Sequence, residues 1–168
     1  MSVVHRSNLV FTYILRTVVL MLAAVSGAGI LAMVFITCAD VILRIFGNPI
    51  IGAYDLVYVC GAVAMACALP YTTALKGHVA IEYFFQKLDK KGRIIIDTIV
   101  RVLGMSLFVM LARESTRIGT NLKLRGEVTP TLQVPVFWLS WVIALCCGMA
   151  VLVIFYNMIH PGKVLVKP

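Results

Sequence analysis

Ionisable side chains are scarce in this sequence and almost absent from the middle of its long apolar runs. Charged residues make up 13% of the 168 residues, whereas 61% are hydrophobic and the mean hydropathy is +1.00. A chain of this composition has too little polar surface to cover a soluble globule. The composition therefore excludes a soluble single-core protein and predicts a lone membrane domain.

Acidic side chains are missing from the positions at which a self-sufficient transporter needs them. A proton-coupled pump or a small drug exporter requires an acid near the middle of the bilayer. Here the acids fall near or beyond the ends of the apolar runs: Asp40, Asp55, Asp97, Glu114 and Glu127. The sequence therefore disfavours a transporter that works alone.

Histidines and cysteines are few, and they lack the spacing of a chemical site. His5, His78 and His160 are terminal or lie in a connector, which disfavours a haem-bearing anchor. Without CxxC spacing or a neighbouring histidine, the five cysteines are interpreted as small apolar packing residues: Cys38, Cys60, Cys67, Cys146 and Cys147. Since no hydrolase constellation is present either, we expect no enzymatic activity, no cofactor and no metal site.

Four apolar runs fill most of the chain, at about Arg16–Cys38, Leu56–Leu75, Ile94–Ala112 and Val136–Ile159. Each approaches or exceeds the roughly 20 residues that span a hydrocarbon core about 30 Å thick. The first run is longer than the apolar part of a signal peptide, so we expect a retained span. The predicted fold is an all-α integral membrane protein, one domain over residues 1–168 with four transmembrane helices.

The net charge of +8 comes from basic residues in the connectors, where membrane topology places them, and a nucleic-acid partner is not expected. The termini and the middle connector together carry nine Lys and Arg residues, against five in the other two connectors. Because cytoplasmic segments carry the excess of Lys and Arg, both termini are predicted to be cytoplasmic.

An amphipathic segment at about residues 79–91 follows the second run. Ile81, Phe84, Phe85 and Leu88 fall at helical i, i+3, i+4 and i+7 positions, and polar residues occupy the other face. Such a helix is expected to lie in the cytoplasmic membrane surface. Trp138 and Trp141 are predicted to anchor the start of the last span at the opposite interface.

The third run keeps helical character as far as about Leu124, because no Gly-Pro stop intervenes. A helix from Ile94 to Leu124 would measure roughly 46 Å, so it should tilt or project from the bilayer. Six charged residues are candidate contacts with a partner protein: Arg44, Asp97, Arg101, Arg117, Lys123 and Arg125. Asp97 and Arg101 are the only charges well inside a predicted span and lie in its cytoplasmic third, whereas the other four belong to connectors. Within this set, Asp97 and Arg101 are four residues apart and could equally form an intrahelical pair. Asp40 and Arg44 have the same spacing and are expected to pair on an extended first helix.

Three ordered segments resemble the small Q-type membrane subunit of the TRAP transporters, the tripartite ATP-independent periplasmic carriers. They are the hairpin Arg44-Ile-Phe-Gly-Asn-Pro-Ile-Ile-Gly-Ala-Tyr-Asp, the segment Lys76-Gly-His-Val-Ala-Ile-Glu, and Gly126-Glu-Val-Thr-Pro-Thr-Leu-Gln-Val-Pro. Each segment is short, but their order, spacing and placement between four apolar runs make the resemblance specific. It covers nearly the whole chain.

The resemblance implies a non-catalytic scaffold in the bacterial inner membrane, paired with a large M-type membrane subunit that carries solute and sodium. A periplasmic solute-binding protein would deliver an organic acid, such as a C4-dicarboxylate, a sialic acid or another sugar acid. Membrane lipids would be the other partners. From the residues alone a second hypothesis stays open, an independent small membrane protein such as a homo-oligomeric channel or an assembly factor.

Overall fold

The computed structural model describes residues 2–75 and 90–159, and within these ranges the chain forms four helices. They are α1 (Ser2–Ile45), α2 (Ala53–Ala74), α3 (Lys90–Arg125) and α4 (Phe137–Ile159). An isolated bridge joins Val128 to Pro135, and the described residues contain no strand. The all-helical class is therefore confirmed. The anchoring residues predicted for the surface helix lie outside the described residues: Ile81, Phe84, Phe85 and Leu88.

Three of the described helices contain a stretch that is long and apolar enough to cross a membrane: Thr12–Ile45, Ala53–Ala74 and Phe137–Met158. Their presence is consistent with the predicted membrane protein. The predicted span over residues 94–112 includes positions whose side chains are not described, so a fourth span stays a prediction.

The helices pack in a row in the order α1, α2, α4, α3. Ser26 of α1 bonds to Ala64 of α2, and Cys67 of α2 contacts Cys146 of α4. Gly119 of α3 lies against Trp141 of α4. Most of the packing is between neighbours in this row, but Leu15 and Val19 of α1 also share a buried cluster with Val153 and Tyr156 of α4. Among the described helices α3 packs extensively only on α4, and it leaves broad faces open.

Small side chains set the distance between α1 and α2. The Ser26 hydroxyl donates to the Ala64 carbonyl over 2.8 Å, and a Cβ on Gly29 would lie 3.1 Å from the Ala64 Cβ. Small residues let helix backbones approach closely where lipid supplies no hydrophobic driving force. Cys67 and Cys146 are buried in the adjacent α2–α4 contact, where they act as compact packing side chains.

The predicted continuation of the third helix to about Leu124 is confirmed, since α3 ends at Arg125. Gly119 does not interrupt it, and its lack of a side chain is required by packing. A Cβ at this position would lie 2.5 Å from Trp141 Cδ1 and 3.1 Å from the Ser140 Cβ. The glycine therefore permits the close approach of α3 to the start of α4.

Gly119→Ala is expected to destabilise the protein by about 1–3 kcal/mol, because the added methyl group overpacks the contact with Trp141. Gly104→Ala in the same helix is the matched control, since its Cβ would be 3.8 Å from Ile154, an ordinary contact. Thermal unfolding in a mild detergent compares the two variants. Equal melting temperatures would contradict the packing argument.

Candidate functional site

Two buried carboxylates hold the connecting loops at one end of the row of helices. We call this end of the row the loop end. It comprises the turn at residues 46–52 and the hairpin at residues 127–136, which we call the Thr129 hairpin. Asp40 is 9% exposed and Asp55 is 2% exposed. Buried carboxylates are costly unless hydrogen bonds satisfy them, so their partners define the architecture of this end.

Asp55 joins the first turn of α2 to the Thr129 hairpin. Its Oδ2 accepts the backbone N–H groups of Thr131 at 2.9 Å and Leu132 at 2.8 Å, and the Thr129 hydroxyl also donates to the carboxylate. Hydrogen bonds to an ionised group are about twice as strong as neutral ones. The N-terminal end of α2 also favours a negative charge in its first turn.

The Thr129 hairpin is closed by its own hydrogen bonds. The Thr129 hydroxyl accepts the Val134 N–H at 3.1 Å, and the Thr129 N–H donates to the Val134 carbonyl at 2.9 Å. The hairpin packs closely on Gly52, since a Cβ at this position would lie 2.5 Å from Leu132 Cγ. The φ of 83° at Gly52 also favours glycine.

Asp40 fixes the turn between α1 and α2. It accepts from Arg44 Nη2 at 2.8 Å and from the Ile50 N–H at 3.0 Å. The pairing of Asp40 with Arg44 anticipated from their i, i+4 spacing is confirmed. Since the Arg44 side chain is 70% exposed, it stays accessible to a partner while it is paired.

The candidate contacts at the C-terminal end of α3 are exposed. Arg117 pairs with Glu114 at 3.6 Å and Arg125 with Glu127 at 3.7 Å, both at long range for an ion pair. An exposed pair in water, as expected for Arg125 with Glu127 beyond the end of α3, stabilises little. Because the acids Asp40 and Asp55 are buried and internally bonded, the accessible charge around the loop end is predominantly basic.

Lys123 and Trp141, two predicted site residues, are brought together. The Lys123 ammonium lies 5.4 Å from the Trp141 ring centroid and 5.8 Å from that of Phe137. The two rings pack edge to face at 5.3 Å. Trp138 is half-buried, whereas Trp141 is 40% exposed at the start of α4. This arrangement of aromatic rings and a cation is typical of a membrane interface.

Arg101 lies at the opposite end of the row, where it donates from Nη1 to the backbone carbonyl of Asn157. That carbonyl belongs to the last turn of α4, which has no intrahelical donors left. A cation there also suits the negative end of the helix dipole. The Asp97 side chain lies outside the described residues, so the predicted Asp97–Arg101 pair is not tested.

Sequence reasoning missed the roles of Asp55 and Thr129. An acid in the first turn after Gly52 is a local signal for a helix start, but it does not indicate which loop the acid binds. Among the described residues no group of three or more His, Cys, Asp or Glu is placed to hold a metal ion. The candidate site comprises exposed helix faces and a loop end held by Asp40 and Asp55.

Comparison with known families identifies the chain. Residues 33–161 match the family model described as Tripartite ATP-independent periplasmic transporters, DctQ component. No curated protein and no solved structure matches the chain. The match covers well over half of the sequence and spans all three resembling segments. The chain belongs to the DctQ component family of the tripartite ATP-independent periplasmic transporters.

Proposed function

We propose that this chain is the non-catalytic scaffold subunit of a sodium-coupled TRAP transporter in the bacterial inner membrane. It pairs with the large M-type membrane subunit, which moves an organic acid delivered by a periplasmic solute-binding protein. The solute is a C4-dicarboxylate, a sialic acid or another sugar acid. The match of residues 33–161 to the DctQ component carries this proposal.

The row of helices supports a scaffold role. Apolar side chains are widely exposed along its outer faces, including Phe35 at 71%, Met65 at 77% and Met110 at 69%. In a membrane these faces meet lipid or another apolar helix. These exposed faces offer a large membrane partner a broad apolar contact surface.

The loop end supports a secondary role in docking the binding protein. With four spans and cytoplasmic termini, this end faces the periplasm. Asp55 holds the Thr129 hairpin in one position, and Lys123, Arg125 and Arg44 place positive charge beside it. Complementary charge speeds encounter and selects orientation.

Omission of this chain tests the proposal. Cells that express the large subunit and the binding protein should take up the solute only when this chain is present. Uptake is measured with a sodium gradient and with the gradient collapsed. Full uptake without this chain at equal levels of the large subunit would contradict the scaffold role.

The surface helix provides a separate prediction. Replacement of Phe84 and Phe85 with Asp should impair complex assembly or uptake, because charged side chains cannot enter the apolar part of the interface. Gln86→Asp on the polar face is the matched control. Full uptake by the double variant at normal protein level would count against an anchoring role.

A further inference from the structure

The apolar runs of α3 and α4 are not level with each other along the helix axis. The observed packing of the two helices shifts the middle of one run away from the middle of the other. Gly104 lies opposite Ile154, and Gly119 lies opposite Trp141. Because the two helices are antiparallel, residues at the same level have numbers with a nearly constant sum, which is 258 to 260 here. The middle of the apolar run 94–112 is therefore level with residues 155–157, at the end of α4. This displacement amounts to about 13 Å along the helix axis.

Because of this axial shift, charged residues of α3 are level with the middle of the α4 candidate span. By the same register Arg113 is level with residues 145–147 of α4. The candidate span of α4, Phe137–Met158, has its middle at Cys147 and Gly148. Cys146 in turn contacts Cys67, which lies near the middle of the α2 span. Arg113, Glu114 and Arg117 thus fall within about 10 Å of the middle of the α4 candidate span, on which α3 packs.

These three side chains point away from the row. Arg113 is exposed, and the side chains of Glu114 and Arg117 are 48% and 73% exposed. Glu114 pairs with Arg117 at 3.6 Å, which leaves Arg113 without an ionic partner among the described residues. A charged side chain at the bilayer centre costs about 2.5–3.5 kcal/mol by insertion scales, so such residues face protein or water and not lipid.

We propose that Arg113, Glu114 and Arg117 form a charged strip, which we call the α3 strip, that packs against the large membrane subunit. The subunit supplies a carboxylate opposite Arg113, since the strip carries two cations and one anion. This inference rests on the proposed function and adds the contact face and the chemistry of the partner. The hydroxyls of Thr116 and Thr120 bond to carbonyls of α3 itself, so the charges are the groups that require a partner.

Copurification from native membranes tests the α3 strip. Arg113→Leu should lower recovery of the large subunit at least tenfold, whereas Arg113→Lys should retain most of it. If the strip faced lipid, Arg113→Leu would bind as well as the wild-type protein, and that result would overturn the inference. Failure of the wild-type protein to recover a large subunit would instead overturn the proposed function.

A photo-crosslinking residue at Met110 tests the same face without removing a charge. Met110 is 69% exposed and precedes Arg113 and Glu114 by one helical turn. An adduct with the large subunit would support the inference even where Arg113→Leu fails to fold. An adduct with a second copy of this chain, or no protein adduct, would overturn it.

Discussion

Asp55→Ala is expected to release the Thr129 hairpin from α2. The substitution removes the acceptor of two backbone N–H groups, Thr131 and Leu132, and of the Thr129 hydroxyl. Hydrogen bonds to a charged group contribute about 1.5–3 kcal/mol each to stability. A local loss of about 2–3 kcal/mol corresponds to roughly 30- to 150-fold faster amide exchange where exchange follows local opening.

Hydrogen exchange followed by mass spectrometry measures this effect directly on peptides that cover residues 127–136. Glu127→Ala is the matched control, since this acid lies in the same hairpin and is 50% exposed. Its long pair with Arg125 should contribute little. Unchanged protection of Thr131 and Leu132 in Asp55→Ala would show that the carboxylate does not brace the hairpin.

Ala64→Leu is expected to separate α1 from α2. Ala64 is 3% exposed and faces Gly29, so three additional carbons have no space between the helices. Overpacking of a well-packed site costs about 1–3 kcal/mol and sometimes more. The shift would also weaken the bond from Ser26 to the Ala64 carbonyl.

Met65→Leu is the matched control, because the next residue is 77% exposed and the substitution conserves volume. Size-exclusion chromatography and thermal unfolding in detergent should show a lower melting temperature and less monodisperse protein for Ala64→Leu only. If both variants behaved as wild type, the α1–α2 contact would not be the close packing described.

Local sequence signals predicted local structure well. Apolar runs indicated the membrane class, the absence of a Gly-Pro stop extended α3 to its observed end, and the i, i+4 spacing of Asp40 and Arg44 indicated their pair. Each of these depends on residues that are close in the chain. The helical period and the cost of buried charge are sufficient to predict them.

Contacts between distant residues were not predictable in the same way. Asp55 binds a hairpin 76 residues further along the chain, and Arg101 binds a carbonyl 56 residues away. The apolar run on α3 suggested that Arg113 lies outside the bilayer, whereas its packing on α4 places it level with the middle of that helix. Apolar runs give the length of a helix but not its axial position against a neighbour, because side-chain packing decides that position.

The most direct test of the scaffold role is purification of this chain from its native membranes in a gentle detergent, followed by mass spectrometry of the copurified proteins. We expect a much larger polytopic membrane protein near one-to-one, which would also identify the transporter whose solute should be assayed. Recovery of this chain alone as a defined homo-oligomer would contradict the scaffold role and favour an independent channel or assembly factor.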